Sequence, residues 1–175
     1  MADALVLVNG LPGSGKTTLA SGLAGPLGAV VLSKDAVKEA LAYLLPDPAS
    51  LPGLGAVAMS AVWSLAAGLP GTVVVESWWF RPRDLGLAEA GLCSVNAATA
   101  VEIWCDVPAD LARARYATRV RSALHHDARR LAADWSDWAA RGEPLAITRV
   151  LRADTSRPVD PDQLASAVRR ELDAA

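Results

Sequence analysis

"VLVNGLPGSGKTTLAS", residues 6–21, runs from an apolar stretch through a glycine-rich loop to a lysine and two threonines. Gly10, four intervening residues and then Gly15-Lys16-Thr17 match the spacing G-x-x-x-x-G-K-[ST] of a phosphate-binding loop. Along Gly10, Leu11, Pro12, Gly13, Ser14 and Gly15 such a loop curls its backbone N–H groups onto phosphate oxygens, and the helix that follows adds its partly positive N-terminus. Lys16 then reaches the β- and γ-phosphates, the Thr17 hydroxyl offers a ligand to magnesium, and Thr18 opens the helix beside them. A tight turn with an exposed lysine is the competing reading. The strand before the loop and the helix expected over residues 16–24, ended by Gly25-Pro26, favour the phosphate site.

The 175 residues, 52% of them hydrophobic, are enough for one sizeable core, so a single domain over 1–175 is expected. A net charge of -2 and a pI near 5.7 give no global field for nucleic acid or anionic lipid, which points to a small-molecule partner. Cys93 and Cys105 lack metal or redox spacing, and the N-terminal stretch has no export signal, so a cytoplasmic home is expected. No Asp, Glu, Lys or Arg occurs between Asp47 and Glu76. Pro52-Gly53 and Pro70-Gly71 nevertheless cut this stretch to a helix over 54–68, short of the ~20 apolar residues a bilayer needs. Its packing face reads as Leu54, Val57, Ala61, Val62 and Leu65.

Short apolar runs at Leu5–Val8, Ala29–Leu32, Val73–Val75, Val101–Cys105 and Ile147–Leu151 suit strands buried on both faces. Helical patterns over 16–24, 36–44, 54–68, 84–90, 109–140 and 161–173 separate them. The alternation predicts an α/β three-layer fold: a five-stranded parallel sheet with helices on both faces and its chemistry at the strands' carboxyl ends. "LLPDPAS" and "TSRPVDPDQ" read as loops entering the next helix, with Asp160 or Asp162 as the last helix's cap.

Asp35 follows the second strand at the start of a helix that also carries Lys38. There it serves either as the helix N-cap or as the carboxylate that orients an acceptor hydroxyl; one residue can do both. In this loop and in Asp35 the sequence resembles the small P-loop kinases that include chloramphenicol phosphotransferase, zeta toxins and polynucleotide 5′-kinase domains. The resemblance implies a P-loop NTPase-type fold, ATP and Mg2+ as cofactors, and Asp35 as the base that takes the acceptor's proton.

"VVVESWWFRPR" ends the third strand at Glu76 and follows it with Trp78, Trp79 and Phe80. Three successive aromatics cannot share one core: Trp78 and Trp79 either wall the acceptor or pack beneath a loop. The resemblance gives Glu76 to the magnesium or the acceptor, although no plain Walker B aspartate is present. After the fourth strand, six of the 17 basic residues, Arg113, Arg115, Arg119, Arg121, Arg129 and Arg130, crowd into 25 residues. In the resembling kinases this region, here about 113–140, is an arginine-rich helical lid. Arg115 and Arg119, four apart, fall on one helical face. Arg119 is the first choice for the transferring phosphoryl group and Arg121 the reserve. His125 and His126 read as lid or surface residues, and Trp135 and Trp138 as core. The turn after the last strand, with Thr155, resembles the segment beside the nucleotide base.

The expected activity is transfer of the γ-phosphoryl of ATP to a hydroxyl of an antibiotic, nucleoside or sugar-like molecule. Lys16, Asp35 and Arg119 are its catalytic set. A polynucleotide 5′-hydroxyl kinase and a zeta-toxin-like sugar-nucleotide kinase are the alternatives within the class; a nucleotide-dependent switch ATPase is the alternative outside it.

Overall fold

In the computed structural model, which describes residues 2–48 and 51–174, five parallel strands form one sheet. The strands are β1 (Ala4–Asn9), β2 (Val30–Ser33), β3 (Thr72–Glu76), β4 (Thr99–Asp106) and β5 (Arg149–Asp154), in spatial order β2-β3-β1-β4-β5. The helices are α1 (Lys16–Leu27), α2 (Lys34–Tyr43), α3 (Leu54–Gly68), α4 (Arg81–Val95), α5 (Ala109–Thr118), α6 (Asp127–Ala133), α7 (Trp135–Arg141) and α8 (Pro161–Asp173). This is the α/β P-loop fold that the alternation of elements predicts.

The strand period of two divides the core. Leu5, Leu7, Val73 and Val75 face a layer containing Val62, Trp63 and Ala88 of α3 and α4. Val6, Val8, Val74, Val101 and Ile103 face Leu19 and Leu23 of α1 and Ala165 and Val168 of α8. A third cluster, Leu11, Phe80, Ala112, Tyr116, Trp135 and Trp138, lies beyond the strands' carboxyl ends and ties the loop to the α5–α7 region. Register brings Val8 opposite Glu76, Glu76 opposite Ser33, and Asn9 opposite Trp104, so the functional ends of four strands align.

Several boundaries differ from the sequence reading. Helix α1 does not stop at Gly25-Pro26 but runs to Leu27, where Gly28 turns left-handed (φ 59°). Pro26 removes only one N–H in the last turn, and Arg169 of α8 donates to its carbonyl. Strand β2 is an edge, with Val30 exposed, rather than buried on both faces. Helix α4 is twice as long as its apolar pattern, because Pro82 starts it, Asp84 accepts from the Phe80 N–H (2.8 Å) and left-handed Asn96 (φ 52°) closes it. The buried face of α3 is Leu54, Ala58, Val62, Trp63 and Ala66, while Val57 and Leu65 are exposed. Alanines admit the helix close to the sheet, and the Trp63 indole fills the gap left by Gly91, where a Cβ would come within 2.2 Å of the ring.

The helix expected over 109–140 is three helices. Arg119 is extended, a short turn spans Ala123–His125, and left-handed His126 (φ 53°) starts α6. Strand β5 begins at Arg149 rather than Ile147, since Leu145 N–H and Ala146 N–H both donate to the Glu102 carboxylate (2.9 Å each) and hold the chain off the ladder. Asp160 caps α8 by accepting from the N–H groups of Asp162 and Gln163. The end of the LLPDPAS loop lies outside the described residues. No helix among the described residues is long and apolar enough to cross a membrane.

Candidate active site

The glycine-rich loop leaves β1 at Asn9, a polar residue that ends an apolar strand and anchors it. Its Oδ1 accepts from Gly10 N–H (2.8 Å) and Trp79 N–H (3.1 Å), and its Nδ2 donates to buried Glu102 (3.0 Å). Gly13 and Gly15 adopt φ of 83° and 90°, where a side chain is strained, and a Cβ on Gly13 would strike the Ala112 carbonyl at 2.2 Å. Helix α1 starts with no side-chain cap, which leaves its first N–H groups to a ligand or to water. Lys16 is buried and its Nζ donates to the carbonyls of Gly10 (2.9 Å) and Leu11 (3.0 Å). Burial lowers its pKa against the opposing pull of Glu76, Cys105 and Asp35. Thr17 and Thr18 are exposed on the same cleft.

Helix α2 places Asp35 across that cleft. The cap of α2 is Ser33, whose Oγ accepts from Ala36 N–H (3.5 Å) and donates to Glu76 Oε2 (2.7 Å). The capping task read for Asp35 therefore belongs to its neighbour, and the Asp35 carboxylate turns outward to the lid. Arg121 Nη1 donates to Asp35 Oδ2 at 2.5 Å, and His125 Nδ1 lies 3.8 Å from Oδ1. Burial alone would raise the Asp35 pKa; Arg121, His125 and Lys34 outweigh it and hold the carboxyl below its ordinary value.

The lid is organised by a residue that no motif marks. Asp127 accepts from the Tyr116 hydroxyl (3.0 Å), from Arg119 Nε (3.0 Å) and from Arg121 Nε and Nη2 (2.6 Å each). The Arg119 guanidinium also lies 4.3 Å over the Tyr116 ring. Arg115 and Arg119 do not share a face as expected, because α5 ends at Thr118 and Arg119 departs in an extended conformation. Arg115 instead donates to the carbonyls of Thr155 (2.9 Å) and Ser156 (3.1 Å), and Thr155 donates to the Asp106 carbonyl. The two make a shelf beside the loop and are not among the residues lining the main cleft.

Among the described residues four contacts join the lid to α2: Arg121 and His125 to Asp35, Lys38 Nζ to the Leu124 carbonyl (3.0 Å), and His125 Nε2 to Glu39 Oε1 (2.7 Å). Of the two histidines read as lid or surface residues, His125 is buried and His126 is exposed. Burial lowers the His125 pKa despite Glu39 and Asp35, and its Nε2 lies against the Glu39 carboxylate.

The aromatic run divides three ways. Trp79 is core, stacked on Trp63 with centroids 6.0 Å apart; Phe80 enters the third cluster; Trp78 packs among Phe80, Trp104 and Trp138. Trp78 and Trp79 also line the cleft, so packing and wall are one arrangement. Beneath them Ser77 is buried with its hydroxyl unpartnered among the described residues, facing the same space. Glu76 ends β3 beside the loop, almost fully buried. No group of three metal-ligating side chains is assembled among the described residues. That donor set fits an ion that takes one or two protein oxygens and the rest from phosphate and water, as Mg2+ does. Thr17 and Glu76 are the oxygens at hand.

The cleft between loop, α2, α3 and lid measures about 1450 Å³. A single ligand pocket spans roughly 300–1,000 Å³, so two ligands can lie here together. Loop, parallel sheet and arginine lid define a P-loop nucleotide-binding domain of the small-kinase type. The family model described as AAA domain matches residues 5–145, and the chain belongs to that family. Among solved structures, a protein of Chloroflexus aurantiacus assigned as a kinase is 28% identical, with 98% of this chain and 96% of that chain covered and a TM-score of 0.75. Two more distant structures share the fold. A sugar kinase from a Janibacter species is 20% identical (98% and 95% covered, TM-score 0.53), and a tunicamycin resistance protein from Deinococcus radiodurans is 19% identical (97% and 95% covered, TM-score 0.59). No curated protein matches the chain significantly.

Asn9, Glu102, Asp127 and the buried state of His125 escaped the sequence reading. Glu102 left one signal, a lone carboxylate inside an otherwise apolar strand. Asp127 left none, since its partners meet only when the lid folds back.

Proposed function

We propose that the protein transfers the γ-phosphoryl group of ATP to a hydroxyl of a small organic molecule. The observation that carries this is Asp35, held across the cleft from the phosphate loop with a lid arginine on its carboxylate. A switch ATPase needs a positioned water, whereas this cleft has a carboxylate, an aromatic wall and room for a second ligand. The likeness to a kinase at 28% identity supports the reading.

The loop amides, the first turn of α1 and Lys16 hold the triphosphate; Lys16 exchanges its two loop carbonyls for phosphate oxygens. Thr17 and Glu76 would hold Mg2+, which when bound neutralises charge between the phosphates. Asp35 accepts the hydroxyl proton as the nucleophilic oxygen bonds to the γ-phosphorus and the bond to the β–γ bridging oxygen breaks, releasing ADP; its low pKa keeps it ionised and ready. Arg121 must release one Asp35 oxygen for this, and the freed guanidinium joins Arg119 in offering donors to the transferring group. Trp78 and Trp79 shield the transfer from water.

The test is label transfer. With Mg2+ and γ-labelled ATP, wild type should label one compound class in a panel of antibiotics, nucleosides, sugars, sugar nucleotides and 5′-hydroxyl oligonucleotides. Lys16→Ala should abolish labelling and weaken ATP binding by about 100-fold, the loss of charged hydrogen bonds to phosphate. Labelling of oligonucleotides alone would replace the small-molecule acceptor; ATP hydrolysis with no labelled acceptor would favour the switch.

A further inference from the structure

Near the start of α3 the cleft gathers positive side chains, and Asp35 is the carboxylate that most offsets them. Lys34 and Lys38 are four apart on α2, so they project from one face, and both line the cleft. Arg130 of α6 lines it from the lid side. Lys34 is half-buried, yet among the described residues its ammonium makes no hydrogen bond or ion pair, and the Arg130 guanidinium has no ion pair either. Lys38 uses one of three N–H groups on the Leu124 carbonyl. The nearby Arg83 is matched by Asp84, with Nη2 2.7 Å from Oδ2.

A fourth positive element converges on the same place. The Lys34 ammonium lies over the first turn of α3, 3.8 Å from where a Cβ on Gly55 would stand. Helix α3 begins at Gly53 (φ 83°) with no side-chain cap and no acidic residue in its first turn. A cation set against a helix N-terminus is repelled unless an anion joins the two. Burial lowers the pKa of Lys34 and of Lys38, Arg130 lowers both further, and Asp35 opposes the shift in each.

This region and the phosphate loop line the same cleft. Glu76 and Arg119 act on Lys16, Arg130 and Arg83 act on Lys34, and Asp35 acts on both. Asp35 is common to both, so the would-be base sits between the triphosphate end and the cationic end. Leu54, Met59 and Trp63 supply apolar wall beside the cations.

We propose that Lys34, Lys38, Arg130 and the N-terminus of α3 form an oxyanion subsite that receives a carboxylate or phosphate carried by the acceptor, and so aims its hydroxyl at Asp35. The proposal deepens the kinase reading and rests on it for the identity of the ligand as acceptor. Neutral alcohols are then poor substrates, and the favoured class is a hydroxylated ring bearing an anionic group.

The test uses the intrinsic fluorescence of Trp63, Trp78 and Trp79, with the phosphate loop saturated by a non-hydrolysable ATP analogue and Mg2+. The probes are inorganic phosphate and matched pairs: glucose 6-phosphate and glucose, uridine 5′-monophosphate and uridine, shikimate and methyl shikimate. Phosphate pairs and the carboxylate pair separate the two oxyanions. At least one anionic member should bind about tenfold or more tightly than its neutral partner, and Lys34→Gln with Arg130→Gln should remove that preference while analogue affinity stays within about twofold. No preference in any pair, binding of none of the anions, or a preference that survives the double substitution would each overturn the subsite. Label transfer from γ-labelled ATP in the same pairs separates this from the kinase reading. Transfer to neutral members alone sinks the subsite and keeps the kinase; anion binding without transfer to any member sinks the kinase reading.

Discussion

Glu102 is fully buried and its two oxygens take three hydrogen bonds, from Asn9 Nδ2 and from the N–H groups of Leu145 and Ala146. Through Asn9 it holds the start of the phosphate loop, and through Leu145 it holds the chain returning from the lid. Glu102→Gln replaces one acceptor by an NH2 facing a backbone N–H. A buried donor left without an acceptor costs about 1–3 kcal/mol. Urea unfolding should show that loss, and ATP should bind more weakly because the loop entry is no longer fixed. A Glu102→Gln variant as stable as wild type would mean that water supplies the missing acceptor. The phosphate loop was legible at this scale because its glycines, lysine and threonine act where they stand in the chain. Asp35 was legible as a carboxylate at a strand end, but its freedom from capping was not, since that depends on Ser33 reaching two partners.

Among the elements, the lid departs furthest from its sequence reading. Periodicity over 109–140 predicted a continuous helix, and the structure breaks it where Arg119 and Arg121 turn toward Asp127. Such ion pairs gather residues from both sides of a break, and no local pattern announces them. Asp127 therefore positions both lid arginines. Asp127→Asn keeps the shape of the side chain and removes its charge, so Arg119 and Arg121 lose their shared partner. Limited trypsin digestion should cut at Arg119 or Arg121 about tenfold faster in the variant, as local opening becomes easier. Acceptor turnover should fall while ATP affinity changes little. Equal digestion rates would show that the aromatic cluster of Tyr116, Trp135 and Trp138, rather than the charge, holds the lid.

At the scale of the whole molecule, the sheet order and its two cores follow from short apolar runs alternating with helices. The acceptor side does not, because Lys34, Arg130 and the start of α3 come from three separated segments. Stability should carry the signature of the lid latch. The folded-state pKa of His125 lies below its ordinary ~6.5, so the folded protein takes up that proton less readily than the unfolded chain. The contribution is complete above about pH 6.5 and is lost as pH falls toward the folded-state value. Asp35 and Asp127 are shifted in the same direction: Arg121 and its neighbours hold their carboxyls low against burial, so their contribution is complete above the ordinary carboxylate range and is lost as pH falls through that range toward their folded-state values. Between pH 7.5 and about 5.5, then, the stability lost belongs to His125, and His125→Gln should flatten the pH dependence of urea unfolding there. An unchanged slope would assign the effect elsewhere.

In the proposed reaction Asp35 activates an acceptor across from a bound triphosphate. The most direct measurement is the turnover of Asp35→Asn beside wild type on the labelled acceptor, with ATP affinity measured on the same preparations. The expected kcat is lower by about 10²–10⁴, the usual worth of a positioned base, with ATP affinity within a few-fold of wild type. Turnover by Asp35→Asn equal to that of wild type would contradict it.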